Sequence, residues 1–206
     1  MSPLSLGGGV RPRITSRQGR ILDLDVETVA AGFGDPEWVP NRVTVISLSW
    51  IGEDTVHTRT ILDFAKSLSS FLQQFFLGCP RLIEWFRGFY DKADIVSGHN
   101  LLRFDLPVIN AECLRLGLSP LGEKMVQDTM HLPRAKGFKK GQDVMSAVWN
   151  LPAEKVSKNW GEWQRDYARA GWDEIKERCS KDILQHKQLR ARQQELGLLT
   201  TKRWRP

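Results

Sequence analysis

Three acidic residues, Asp23, Asp25 and Glu27, occupy every second position of a segment that alternates them with apolar residues. This alternation predicts a β-strand over 21–27, and residues two apart in a strand leave the same face of the sheet. Carboxylates side by side repel one another unless a positive group neutralises them. A divalent cation is the simplest neutraliser, and Mg²⁺ and Mn²⁺ prefer carboxylate oxygens while retaining bound water. The pattern therefore indicates a metal site suited to hydrolysis.

Two further acids, Asp105 and Asp182, each have an ordinary structural interpretation. Asp105 lies at the start of a predicted helix over about 104–116, where an acid caps the first turn or interacts favourably with the helix dipole. Asp182 lies within a long predicted helix, four residues from both Arg178 and His186, and such pairs form salt bridges on helix surfaces. Taken singly, neither acid indicates catalysis.

Three segments together resemble the exonuclease motifs of the DEDD (DnaQ-like) 3′–5′ exonucleases. They are Leu24-Asp25-Val26-Glu27-Thr28, then Gly98-His99-Asn100 followed by Phe104-Asp105-Leu106-Pro107, then Arg178-Cys179-Ser180-Lys181-Asp182. They occur in the family's order, and the second is the most specific. The resemblance is closest to the subclass with a Tyr in the third motif, and Gln127-Asp128-Thr129 is also similar to a segment common in the family.

The resemblance implies a ribonuclease-H-like fold and an enzyme that hydrolyses phosphodiester bonds at the 3′ ends of single-stranded DNA or RNA, with DNA favoured. It implies that two Mg²⁺ or Mn²⁺ ions activate the attacking water and stabilise the leaving oxygen. Asp25, Glu27, Asp105 and Asp182 would hold these ions and act as the catalytic residues, with Asp23 secondary. Substrate contacts are expected from Thr28, Asn100, Phe104 and Arg178, and a core role for Phe104 is an equal alternative.

The third motif departs from the family at the position of the expected base. The family has a Tyr four residues before the last Asp, or a His five before it, where this chain has Arg178 and Glu177. An arginine cannot act as a base because its pKa lies far above the ordinary pH range. Three explanations are open: another base such as Glu177 or His186 acts with the metal, catalysis is lost, or Arg178 clamps phosphate or developing charge.

The wider periodicity predicts an α/β fold in which a mixed five-stranded sheet, beginning with a three-strand antiparallel meander, is flanked by helices. Turn residues at 52–54 join predicted strands over 43–51 and 55–62. Predicted helices within 65–92 are interrupted at Gly78 and Pro80. Further strands are expected at 94–97 and 124–129, and further helices at 143–149 and 172–196.

The charge of this 206-residue chain is unevenly distributed. The net charge of +6 divides into +4 for residues 1–20, −3 for 21–186 and +5 for 187–206. We therefore expect a basic leader over 1–19, one exonuclease domain over 20–196 and a basic tail over 197–206. Basic ends suit nucleic acid but equally serve as solubilising tails. A basic segment at 134–140 is similarly a candidate phosphate-gripping loop or a solvated one.

Composition narrows the class of protein further. No apolar stretch is long enough to span a bilayer, so no membrane partner is expected. The three cysteines are widely spaced and odd in number, which favours the reducing cytoplasm. A replication or repair partner protein is left open. Two other functions remain: a non-catalytic nucleic-acid-binding module that keeps the fold, and an interaction scaffold with solvent-facing carboxylates.

Overall fold

A six-stranded mixed sheet forms the centre of the protein. The computed structural model describes residues 19–30, 41–132, 141–152, 162 and 171–206, so the basic segment at 134–140 and all of the leader except Gly19 lie outside the described residues. The strands are β1 (Ile21–Ala30), β2 (Asn41–Trp50), β3 (His57–Thr60), β4 (Ile95–Gly98), β5 (Lys124–Asp128) and β6 (Thr201–Trp204). Their order across the sheet is β3-β2-β1-β4-β5-β6.

The first three strands form the predicted antiparallel meander, whereas β4 and β5 continue the sheet in parallel with β1. β6 then pairs antiparallel with β5. The sheet therefore has six strands rather than five, and the extra one lies in the segment expected to be a tail. β6 was missed because its residues lack alternation: the first three are exposed, and Trp204 alone is buried in the core.

Five α-helices accompany the sheet in the described residues: α1 (Leu68–Leu77), α2 (Pro80–Tyr90), α3 (Asp105–Arg115), α4 (Gln142–Val148) and α5 (Trp172–Glu195). The predicted break between α1 and α2 is confirmed, because Gly78 has a φ of 92° and Pro80 occupies the first turn of α2. The strand expected over 55–62 was too long. It ends at Thr60, whose hydroxyl and backbone form a capping box with Asp63 and begin a 3₁₀ helix over Ile61–Phe64.

The two faces of β1 differ in chemistry. Leu22, Leu24 and Val26 are buried and belong to the main hydrophobic core. The acids on the opposite face are directed at α5, since Asp23 and Asp25 contact side chains of that helix. The expected polarity of this strand is thus confirmed, and its acidic face is covered by a helix rather than by solvent.

Helix α5 meets the acidic face of β1 with polar residues that recur every fourth position. Arg178, Asp182, His186 and Arg190 form this series, which we call the polar stripe, and the last three are buried. Residues four apart lie on one face of a helix, so the stripe runs along a single side of α5. Apolar residues beside it, including Ile175, Ile183 and Leu189, are fully buried and fix the helix against the rest of the protein. Within the described part of the chain, no helix has the length and apolar character that crossing a membrane requires.

Candidate metal centre

The centre lies where β1 extends beyond its parallel neighbour. Pairing between β1 and β4 ends at Asp23 and Ser97, while β1 continues for seven further residues. Ligand sites of α/β sheets commonly form at such places, next to the carboxyl ends of parallel strands. The backbone N–H of Val26 lies in this extension and donates a hydrogen bond to Asp105 Oδ1 at 3.1 Å. The first residue of α3 is thereby attached to the strand that carries Asp25 and Glu27.

Three of the four predicted ligands come together. One carboxylate oxygen from each of Asp25, Glu27 and Asp182 lies within 4.8 Å of the others. Asp25 and Glu27 are half-buried and Asp182 is buried, so water screens their repulsion only in part. Carboxylate oxygens in a partly enclosed group are suitable donors for Mg²⁺ or Mn²⁺. The donor set therefore fits a hard divalent cation, and the helix-covered position argues against a scaffold with solvent-facing acids.

Asp105 is held apart from this three-acid group. Its side chain is buried, and burial raises the pKa of Asp105 to about 8, with smaller contributions from the negative charges of Asp128 and Glu27. The hydrogen bond from Val26 acts in the opposite direction. Asp105 is thus more than the ordinary first-turn acid of α3, because its carboxyl joins that helix to β1.

Arg178 supplies positive charge within the acidic group. Its Nε lies 3.6 Å from Glu27 Oε1 and 3.8 Å from Asp182 Oδ2, and its side chain is only 11% exposed. The pairing of Asp182 with Arg178, expected from their spacing, is therefore confirmed. The alternative pairing of Asp182 with His186 is not what the structure contains, because His186 lies against a different acid.

Cys179 also contacts the acidic group. Its place in the third motif suggests that it lies nearby, but not which acid it contacts. Its thiol donates to Asp25 Oδ2 at 3.1 Å. Burial, followed by the charges of Asp25 and Glu27, raises the pKa of the Cys179 thiol well above its ordinary value. The group therefore remains a protonated donor that orients the Asp25 carboxylate.

Asp23 takes part in a separate buried pair. His186 Nδ1 lies 2.5 Å from Asp23 Oδ1, and both side chains are almost wholly enclosed. Farther along the polar stripe, Arg190 donates from Nε to Gln127 Oε1 at 2.9 Å. Burial lowers the pKa of Arg190, and the charge of Asp23 opposes that change. These contacts attach α5 to β1 and β5, and a secondary role for Asp23 at the metal centre stays a prediction.

The loop of the second motif is organised by Asp128, a residue that sequence reasoning noted only as part of a family segment. Its carboxylate accepts N–H bonds from Asn100 at 2.9 Å, Leu102 at 3.0 Å and Met130 at 2.9 Å. Asn100 has a φ of 63°, a left-handed conformation that asparagine tolerates better than most residues. The loop borders a cavity of about 120 Å³ that is also lined by Arg103 and His131.

The remaining predicted substrate residues are sequence neighbours of the acids, since Thr28 follows Glu27 and Phe104 precedes Asp105. Thr28 is half-buried and follows an irregularity in the pairing of β1 with β2, between Glu27 and Thr28. Phe104 is half-buried and packs against the main core, as the alternative of a core role for this residue predicts. Substrate contacts by Thr28, Asn100, Phe104 and Arg178 stay predictions.

Comparison with known proteins gives a structural likeness without a sequence match. No protein-family model matches the chain, and no curated protein sequence matches it. The fold is similar to the structure of the family B DNA polymerase from the hyperthermophilic archaeon Pyrobaculum calidifontis, with a TM-score of 0.53 and 16% identity. The match covers 81% of this chain and 24% of the polymerase chain. The mixed sheet with flanking helices confirms the predicted α/β fold class, and the likeness shows that this fold is shared with part of the polymerase chain.

Proposed function

We propose that this chain is a metal-dependent 3′–5′ exonuclease of the DEDD type that acts on single-stranded DNA or RNA, with DNA favoured. The observation that carries the proposal is the group formed by Asp25 and Glu27 of β1 with Asp182 of α5. Their oxygens converge where β1 extends beyond β4, in a fold similar to part of a DNA polymerase chain. Clustered acids on such a fold are most simply explained by ion-assisted phosphodiester hydrolysis.

Asp25, Glu27, Asp105 and Asp182 would hold two Mg²⁺ or Mn²⁺ ions. When bound, these ions supply an activated water and stabilise the leaving 3′ oxygen of the scissile bond. The chain's own contribution is to fix the carboxylates before substrate arrives. The thiol of Cys179 holds Asp25, and the backbone N–H of Val26 holds Asp105. Such outer contacts orient ligands and raise metal affinity.

The test of this function is the shortening of a single DNA strand labelled at its 5′ end, in the presence of Mn²⁺. We expect a ladder of products that lose nucleotides from the 3′ end, because the label remains on every fragment. Asp25→Asn and Asp182→Asn each remove one ligand oxygen charge, and we expect each to slow the reaction more than roughly 100-fold, beyond the loss typical of an outer contact. An RNA strand assayed in parallel defines the preferred sugar.

The control variant is Asp173→Asn, which makes the same chemical change on an exposed residue of α5. Its rate should equal that of the unmodified protein. An unchanged rate of shortening in Asp182→Asn would contradict the assignment of this acid.

The second candidate is a non-catalytic nucleic-acid-binding module, favoured by Arg178 at the position of the expected base. It predicts retention of single strands in EDTA with no shortening of DNA or RNA at any Mn²⁺ concentration. We place either activity in the cytoplasm, since Cys79, Cys113 and Cys179 are all buried and unpaired with one another. A replication or repair protein is the kind of partner to seek.

A further inference from the structure

The Arg178 guanidinium occupies the same small volume as the oxygens of the proposed metal centre. Two of the three grouped acids, Glu27 and Asp182, lie 3.6 and 3.8 Å from its Nε. Its side chain is almost wholly enclosed, so bulk water contributes little to screening these charges. The guanidinium is therefore an internal partner of the acids rather than a surface group that meets them occasionally.

A guanidinium and a divalent cation compete for such oxygens on simple electrostatic grounds. Three carboxylates whose oxygens lie within 4.8 Å repel one another, and either cation relieves that repulsion. If the guanidinium and the ion both lay next to Glu27 and Asp182, they would repel each other. Water screens this repulsion poorly in an enclosed site. Arg178 is also one helical turn from Asp182, and its Nε lies 3.8 Å from Asp182 Oδ2, so an ion bound at this oxygen would lie close to the guanidinium.

We propose that Arg178 is the resident counter-cation of this centre. In the ion-free protein its guanidinium neutralises Glu27 and Asp182, and it leaves their oxygens when Mg²⁺ or Mn²⁺ binds. The inference rests on the proposed function, because it assumes that these acids bind the ion. It assigns Arg178 the role of setting metal affinity, which is separate from any contact with phosphate and from any role as a base.

Calorimetric titration with Mn²⁺ tests the competition directly. We expect Arg178→Met to bind Mn²⁺ roughly tenfold more tightly than the unmodified protein, because a nearby unit of positive charge is removed. In EDTA the same variant should unfold at a lower temperature, since the acids lose their counter-charge. Added Mn²⁺ should then raise its unfolding temperature more than that of the unmodified protein.

The matched control is Arg192→Met, the same substitution on the same helix at an arginine that is 43% exposed and paired with Glu195. Its Mn²⁺ affinity should be unchanged. Equal or weaker Mn²⁺ binding by Arg178→Met overturns the inference.

A second measurement keeps the test valid if Arg178→Met does not fold in chelator. In the unmodified protein labelled with ¹⁵N, the Nε–H signal of Arg178 is identified by its absence from Arg178→Lys. We expect this signal to shift saturably as Mg²⁺ is added. A signal that stays fixed while Mg²⁺ binding saturates overturns the inference.

The inference and the proposed function fail in different ways. Tighter Mn²⁺ binding by Arg178→Met without strand shortening by any form supports the counter-cation and refutes the exonuclease. Unchanged affinity in Arg178→Met, with shortening intact in the unmodified protein, refutes the counter-cation alone. If neither protein binds Mn²⁺, the metal centre and the counter-cation are both refuted.

Discussion

Buried polar side chains between α5 and β1 hold the two elements together, and the protein is sensitive to the loss of any one of them. Asp23 and His186 approach to 2.5 Å in surroundings closed to solvent, with Arg190 the next basic residue along the polar stripe. Removing charged groups from water is unfavourable, and only close pairing compensates for it. Losing one partner is therefore more harmful than losing both, because it leaves the other buried and uncompensated.

We expect His186→Phe to lower the free energy of unfolding by about 3 kcal/mol, since Asp23 then lacks its nearest partner. Urea denaturation measures this loss. The double variant Asp23→Leu with His186→Phe should regain most of it, because no acid is then buried without its nearest partner. A double variant that is less stable than His186→Phe would show that Asp23 is stabilised mainly by other groups.

Among the elements, β4 and β1 approach so closely that only glycine fits at the end of β4. A Cβ atom on Gly98 would lie 2.8 Å from the backbone oxygen of Leu24 and 3.1 Å from Leu101 Cδ1. Backbone cannot move aside as a flexible side chain can. This contact sets the spacing of the strands next to Asp25 and the start of the loop that Asp128 organises.

We expect Gly98→Ala to destabilise the protein by about 1–3 kcal/mol, as overfilled cores generally do. Gly88→Ala is the matched control, because Gly88 is exposed on α2 and its added methyl would meet nothing within 4 Å. That change should stabilise the protein by about 0.5–1 kcal/mol. Thermal unfolding of both variants measures these changes in stability, which should have opposite signs. Equal changes would refute the close approach of Gly98 to Leu24.

The carboxylate of Asp63 joins the 3₁₀ helix after β3 to α5. Asp63 accepts hydrogen bonds from the Thr60 N–H at 2.7 Å and from Lys176 Nζ at 2.9 Å. Burial alone would raise the pKa of Asp63, but the hydrogen bond from Thr60 and then Lys176 outweigh it and lower the pKa below the ordinary 3.8. The carboxylate form is thus favoured by folding.

A lowered pKa contributes stability above the ordinary value, and that contribution disappears as pH falls through the folded value. Asp63→Asn should therefore be less stable near neutral pH, by about 1 kcal/mol or less for this partly exposed group. The difference should shrink below pH 3.8 and vanish in stronger acid. Urea denaturation across this pH range measures it, and a difference independent of pH would contradict the ionic contribution of Asp63.

At the scale of the whole molecule, the basic segment over 197–206 contributes strand β6 to the sheet and also exposes positive charge. β6 pairs along β5 and buries Trp204 in the main core, while Lys202 and Arg203 are exposed. A segment with this composition can therefore stabilise the fold and present positive charge to a polyanion at the same time.

We expect Trp204→Ala to lower the free energy of unfolding by about 3 kcal/mol, the scale found when a buried aromatic side chain is deleted. Trp204→Phe, which keeps a ring, should lose much less. Both values come from chemical denaturation. A free tail would make the two variants indistinguishable from the unmodified protein, so that result would contradict the strand pairing.

The strands and helices that could be predicted from sequence are those whose burial pattern repeats among residues close together in the chain. The acidic alternation of β1 and the buried face of α5 were visible because burial repeats with strand and helix periods. The end of β3 at Thr60 was missed because a local capping box overrides the apolar pattern of Ile61 and Leu62. The contacts of Arg178 and Cys179 depend on how α5 is rotated against β1, which no single segment encodes.

The joining of Asp25 to α5 also has a consequence for protein synthesis. The Cys179–Asp25 hydrogen bond spans 154 residues, so the centre cannot assemble while β1 alone has left the ribosome. Contacts of such long range form late because closing the intervening chain is entropically unfavourable. A nascent chain therefore carries Asp25 and Glu27 without Asp182 beside them until α5 has emerged and docked, so the three-acid group forms only with the finished fold.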